Sequence, residues 1–176
     1  MISLYRVEHQ YKFKTINEAL KEANTIVQCL SRFVKRNKIS CKAMVCVSEH
    51  DVGKASPSLK KDGRRGRPAK IFKDKHREGK EAPKTKPHLH VLIKSKQANK
   101  VASKVVQNTN KRYRKRNPDN VKSVISRRYP VTNDRKYIGY VMHQGTSFRF
   151  VENDGEGEFR DFDFEDEYEK YKPNIY

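Results

Sequence analysis

PHLHVLIKS, residues 87–95, alternates histidine with aliphatic side chains. Successive side chains of an extended strand point to opposite faces, so a strand here sends His88 and His90 to one face and Leu89, Val91 and Ile93 to the other. Two imidazoles then share one side of a sheet whose reverse is apolar. A second strand is predicted at 42–49 (KAMVCVSE), rich in apolar and β-branched residues and closed by the polar pair His50-Asp51. Antiparallel pairing of the two strands across the segment between them brings His50 towards His88 and His90.

Working outward, ISLYRVEH (2–9) is a candidate opening strand, and TINE (15–18) is a capping box with Thr15 as N-cap and Glu18 three residues on. Ile16, Ala19, Leu20, Ala23, Val27, Leu30 and Val34 follow at helical spacing and predict a helix to about Lys38. A second helix is expected from Ala98 to about Arg116, with Val101, Val105 and Val106 on one face. A strand follows at 121–129 (VKSVISRRY), then a helix over 133–144 (NDRKYIGYVMHQ), with Asn133 as N-cap and Gly145 as its stop. The order β-α-β, loop, β-α-β-α implies an α+β fold, an antiparallel sheet of split β-α-β topology with helices packed on it. The expected organisation is one domain over 1–151, carrying a long basic loop at 53–86, and an acidic, aromatic tail at 152–176.

The chain of 176 residues carries 40 Lys+Arg against 21 Asp+Glu, a formal charge of +19. The tail holds ten acidic and three basic residues, so the body is more basic still and a polyanion is the expected partner. No apolar run approaches the roughly 20 residues that span a bilayer, and no signal-peptide pattern opens the chain, so a cytoplasmic, DNA-associated protein without membrane contact is expected. Cys29, Cys41 and Cys46 fit neither a disulfide framework nor a C-x-x-C zinc pattern and read as reduced thiols. The loop contains RRGRPAK (64–70), whose Arg64, Arg65 and Arg67 resemble an AT-hook that lies in the minor groove or simply attracts phosphates. KRYRKR (111–116) offers Lys111, Arg112, Tyr113 and Arg114, with Tyr113 as a stacking ring or the whole as a solvated helix end. Phe159, Phe162, Phe164, Tyr168 and Tyr171 interleave with the acids of the tail, which folds back on the basic body, binds a partner or remains a mobile terminus.

Imidazoles together with a carboxylate suit Mn²⁺, and with water they also hold Mg²⁺. Tyr137 and Tyr140 lie three apart on the helix at 133–144, with His143 one turn beyond. A phenol with a pKa near 10 attacks a phosphate only when rigidly positioned beside an electrophile that a cation has polarised.

At this point three segments resemble the HUH endonucleases, in particular the rolling-circle replication initiators of plasmids and viruses. PHLHVLI (87–93) is similar to that family's histidine-hydrophobic-histidine motif, SEHD (48–51) to its upstream metal-ligand segment, and YVMH (140–143) to its tyrosine motif. The resemblance implies a metal-dependent enzyme that nicks and rejoins single-stranded or hairpin origin DNA by transesterification. Tyr140 would become linked to a 5′ phosphate and a 3′ hydroxyl would be released to prime synthesis. It implies His88, His90 and His50 as ligands of Mn²⁺ or Mg²⁺ and Tyr140 as nucleophile, with Tyr137 the second choice, and admits host replication proteins as partners. Gly53 stands where plasmid relatives carry a further aspartate, which leaves Glu49, Asp51 or water to complete the site, and His143 or Lys136 replaces a lysine often found near the nucleophile. The alternatives are a non-catalytic basic DNA- or RNA-binding protein, and a relaxase or transposase of the same superfamily. Oligomeric state and the DNA sequence recognised are not encoded in any motif.

Overall fold

Residues 1–9, 12–50, 57–59, 65–68, 84–119, 126–155 and 157–171 are described by a computed structural model, in which the histidine strand is the middle of the sheet. That strand, β5 (Lys84–Ser95), pairs on one side with β1 (Ser3–His9) and on the other with β2 (Cys41–His50). Beyond β1 lies β6 (Ser126–Pro130), and beyond β2 lies β7 (Ser147–Asn153). The order is β6-β1-β5-β2-β7 and every pairing is antiparallel, so β1 and β2 run the same way on either side of β5. The fold is the α+β, split β-α-β arrangement expected from the element order. Within the long basic loop, β3 (Pro57–Leu59) and β4 (Arg65–Pro68) form a separate two-stranded pair.

Helix α1 (Ile16–Arg36) forms because its start and stop are both written locally. The Glu18 amide donates to Thr15 Oγ1 at 3.2 Å and the Lys14 amide to Glu18 Oε2 at 3.0 Å, which satisfies donors that have no partner inside the helix. At the other end the Ile39 amide reaches back to the Val34 carbonyl and the Lys38 amide to that of Lys35, a Schellman closure with Lys38 in the left-handed region (φ 51°) where glycine is usual. Ala19, Ala23, Ile26, Leu30 and Val34 of α1, with Val101, Ala102 and Val105 of α2 (Ala98–Arg116), bury one face of the sheet through Val7, Val45, Val47, Leu89, Val91 and Ile93.

The other face is covered by α3 (Asp134–Gln144), which starts at Asn133 with the side chain accepting from the Lys136 amide at 3.0 Å. Ile138 and Val141 of α3 meet Leu4, Met44, Cys46 and Leu92 of the sheet. Gly145 ends this helix for a reason of space: a Cβ there would strike the Phe148 ring and Cys46 Sγ.

The expected division at 151/152 falls inside β7, and the acidic segment after it joins the fold. Phe159 and Phe164 are buried, Phe164 within the cluster under α3, and α4 (Phe164–Tyr171) packs along α3. Lys42 Nζ donates to the Phe162 carbonyl at 2.8 Å, Lys94 pairs with Asp134 and lies over the Phe162 ring, and Arg135 Nε meets Glu167 Oε2 at 3.3 Å. Phe159 and Phe164 are thus buried and Phe162 packs partly buried beside them, while Glu158 pairs with a lysine and Glu167 with an arginine. Among the described residues no helix is long and apolar enough to cross a membrane. The three cysteines are all free thiols, and burial pushes Cys41 and Cys46 up to about 12.

Candidate functional site

Register decides which polar residues share the α3 face. His90 stands opposite Cys46 of β2 and opposite Glu8 of β1, and His88 stands opposite Ser48. Glu8 in turn is opposite Arg127, and Arg6 is opposite Tyr129, on β6. One strip of the sheet therefore carries Arg127, Tyr129, Arg6, Glu8, His88 and His90 on the side where α3 carries Tyr137, Tyr140 and Gln144. Leu4, Met44 and Leu92 seal the sheet to α3 over part of its length; beyond them it opens into a cleft of about 590 Å³ lined by Arg6, Glu8, His90, Lys136, Tyr137 and Tyr140.

The two histidines are held 5.0 Å apart, ring centre to ring centre, and edge to face. His88 Nδ1 lies 3.2 Å from the Lys86 carbonyl. A carbonyl only accepts, so Nδ1 carries a proton, and in the neutral ring Nε2 holds the lone pair. Gln144 Nε2 donates to His90 Nε2 at 2.9 Å, which sets the same tautomer in the second ring and leaves its Nδ1 buried with no partner. Burial, joined by the positive field of His88, Lys12, His9 and Arg6, pushes His90 down to about 3, so the ring is neutral at physiological pH. In His90 the Nε2 lone pair is taken by the Gln144 amide, so a divalent ion reaches it only where that hydrogen bond gives way.

The tyrosines differ. Tyr137 and Tyr140 are in ring contact at 5.9 Å, but the Tyr137 hydroxyl is directed to Glu8 Oε1 at 3.5 Å, and its ring is covered by the Arg6 guanidinium at 4.7 Å. Burial, against the opposing effect of Arg6, pushes its hydroxyl up to about 12. Arg6 is also 5.1 Å from the Tyr129 ring and pairs with Glu8 at 2.9 Å, so Tyr129, Arg6 and Tyr137 form a stack along one wall. Tyr140 lies one helical turn before Gln144, the residue that touches His90.

The remaining expected site residues are distributed as follows. Glu49 sits within the irregularity of β2 between Ser48 and His50. The backbone of His50 pairs with Lys84 beyond an irregularity after Ser48. Asp51 and Arg64 lie outside the described residues, as do the side chains of His50, Arg65 and Arg67. His143 is half-buried on α3, and it is Gln144 that the helix presents to His90. Lys136 lines the cleft, whereas Lys111, Arg112, Tyr113 and Arg114 lie on α2, across the sheet. Among the described residues no three His, Cys, Asp or Glu side chains converge closely enough to hold a metal ion by themselves.

Glu8 and Gln144 are the residues that reading the sequence missed. Glu8 carries a signal in retrospect, since it stands on the opening strand in phase with Arg6 and Leu4. Its relation to His90 depends on the order β1-β5-β2, which no local pattern states. Gln144 closes the helix one turn after Tyr140, and only the crossing of α3 over β5 reveals its partner. No family model, curated protein or solved structure matches this chain.

Proposed function

We propose that the chain is a metal-dependent DNA-nicking and joining enzyme of the rolling-circle initiator type. The observation that carries the reading is the juxtaposition, on one sheet face, of the His88/His90 pair with a helix bearing Tyr140, beside a cleft wide enough for a nucleotide. The basic body, +19 over the whole chain, supplies long-range attraction for a polyanion.

The donor set fits an open site. His88 and His90 would hold the ion through Nε2, with His90 exchanging its Gln144 donor for the metal, and His50 and water are the groups left to complete the shell. An Mn²⁺ or Mg²⁺ ion held there would polarise a phosphoryl oxygen of the strand. Tyr140 Oη attacks the phosphorus, a tyrosine O–P bond forms and the P–O3′ bond breaks. The phenolic proton passes to a base in the cleft, of which Glu8 is the lining carboxylate, and the departing 3′ oxygen takes a proton from water. Tyr129, Arg6 and Tyr137 offer rings and a guanidinium on which unpaired bases stack, which favours a single-stranded or extruded substrate. The 5′-phosphotyrosine retains the bond energy for rejoining.

Incubation with single-stranded DNA and Mn²⁺ followed by denaturing electrophoresis tests this. The expected product is a denaturation-resistant adduct that is lost in Tyr140→Phe and on chelation. Salt-sensitive binding with no adduct on any origin or hairpin DNA favours the second reading, a non-catalytic DNA- or RNA-binding protein, which the basic surface of α2 supports.

A further inference from the structure

On the face of the sheet away from the cleft, β1 ends at His9, against the last turns of α2. His9, Glu22, Thr109, Arg112, Tyr113 and Arg116 surround a notch of about 40 Å³. His9 is 8% exposed and Thr109 4%, yet both ring nitrogens of His9 and Thr109 Oγ1 have no hydrogen-bond partner. Ser126 Oγ, on the residue opposite His9 in the β1/β6 register, is a fourth buried atom without one. A buried polar atom left unsatisfied is costly, and the three on His9 and Thr109 meet at the notch, which marks a site shaped to receive a polar group. Its volume is more than a single water-sized probe needs, so it admits one oxygen of something larger.

Charge around the notch decides what that is. Helix α2 contains seven Lys and Arg and no acid. Arg112 holds Glu22 Oε1 through Nε at 3.1 Å and Nη2 at 2.5 Å, and Arg116 Nη1 reaches Glu22 Oε2 at 3.3 Å, so two cations face one carboxylate. The Arg116 side chain is 61% exposed, and Lys111, Arg114 and Lys115 are exposed on the same turns. That excess more than offsets the partial negative charge of the helix end.

We propose that this notch is a second nucleic-acid site, which takes a backbone phosphate of a strand on the face opposite the cleft. One non-bridging oxygen enters between His9 and Thr109, and Arg116 and its neighbours hold the remainder. The proposal rests on the nucleic-acid part of the function above and not on nicking. Two strand sites on opposite faces allow one protein to hold the DNA at a distance from the phosphate in the cleft.

The test uses the full chain with labelled histidines, the His9 ring resonances being assigned by loss in His9→Gln. A ten-nucleotide single strand and, separately, inorganic phosphate are titrated. Saturable movement of the His9 resonances with the oligonucleotide is expected. Thr109→Val, which keeps the shape and removes the hydroxyl, should weaken oligonucleotide binding by roughly two- to tenfold without lowering the melting temperature. Arg116→Gln should lower the slope of log affinity against log salt by about one. His9 resonances that stay still with both probes, together with unchanged binding by Thr109→Val, overturn the proposal and leave a buried water only. Movement with phosphate but not with the oligonucleotide overturns it in favour of a free-phosphate site. Movement with the oligonucleotide in a protein that forms no covalent adduct supports the notch and removes the nicking assignment alone.

Discussion

On the α1/α2 face, the strand residues Val7, Val45, Val47, Leu89, Val91 and Ile93 all meet helix side chains and leave no opening at the centre of the sheet. On the α3/α4 face the same strands contribute Leu4, Met44 and Leu92 to a smaller cluster, and then Arg6, Glu8 and His90 to an open cleft, with His88 buried beside His90. The alternation that builds a dry core on one side thus delivers titratable groups in register on the other. A sheet half covered by helix keeps these groups rigid, since each is flanked by a paired strand, while leaving them reachable by a ligand. The dry face supplies stability, and the other, wet face leaves its polar groups open to a ligand.

This contrast is open to direct attack, and the largest effect expected is on the wet face. Tyr140→Phe should reduce covalent adduct by about a thousandfold or more, as loss of a nucleophile does, whereas Tyr137→Phe, whose hydroxyl is turned to Glu8, should stay within about tenfold. Gel quantification checks both, and the reverse ranking would transfer the role to Tyr137. Next, Leu30→Ala on the dry face and Phe164→Ala under α3 should each cost about 2–5 kcal/mol in denaturant unfolding. Only Phe164→Ala should also lower adduct yield under conditions where both variants are folded, because it removes the backing of α3. Gln144→Ala, which frees the His90 Nε2 lone pair, should lower the Mn²⁺ concentration that nicking requires, with a smaller stability loss than Leu30→Ala; an equal loss would make the glutamine a packing residue instead.

Smaller effects sharpen the picture. Lys38→Gly should raise stability by about 0.5–1 kcal/mol, since it relieves a left-handed residue at the end of α1. For Glu167, burial raises the pKa but hydrogen bonds from Lys170 and Arg135 outweigh it and hold the carboxyl below its ordinary value. A depressed folded pKa contributes stability that is present above the unfolded value of 4.5 and is lost as pH falls through the folded one. Removing it in Glu167→Gln should therefore cost under about 1 kcal/mol at neutral pH, the partners being exposed, and progressively less as the pH falls below 4.5.

Most of the fold was legible because its signals are local. The capping box of Thr15 and Glu18, the N-cap at Asn133 and the period-two pattern of 87–95 each involve residues within one turn or one strand. The strand at 147–153 escaped notice because SFRFVEN mixes charges with aromatics, and the helix at 164–171 because acids mask the burial of Phe164. At the site, His88 and His90 are adjacent in sequence and were readable from alternation alone. Glu8 and Gln144 were not, since their places beside His90 depend on pairings between segments more than fifty residues apart.

The packing of α4 on α3 also has a consequence in time. During synthesis, α3 and its tyrosines leave the ribosome before residues 159–171, whose Phe159 and Phe164 complete the hydrophobic seat. Until that segment emerges, the helix that carries Tyr140 has a bare flank, and the cleft acquires its final shape only after this late segment docks.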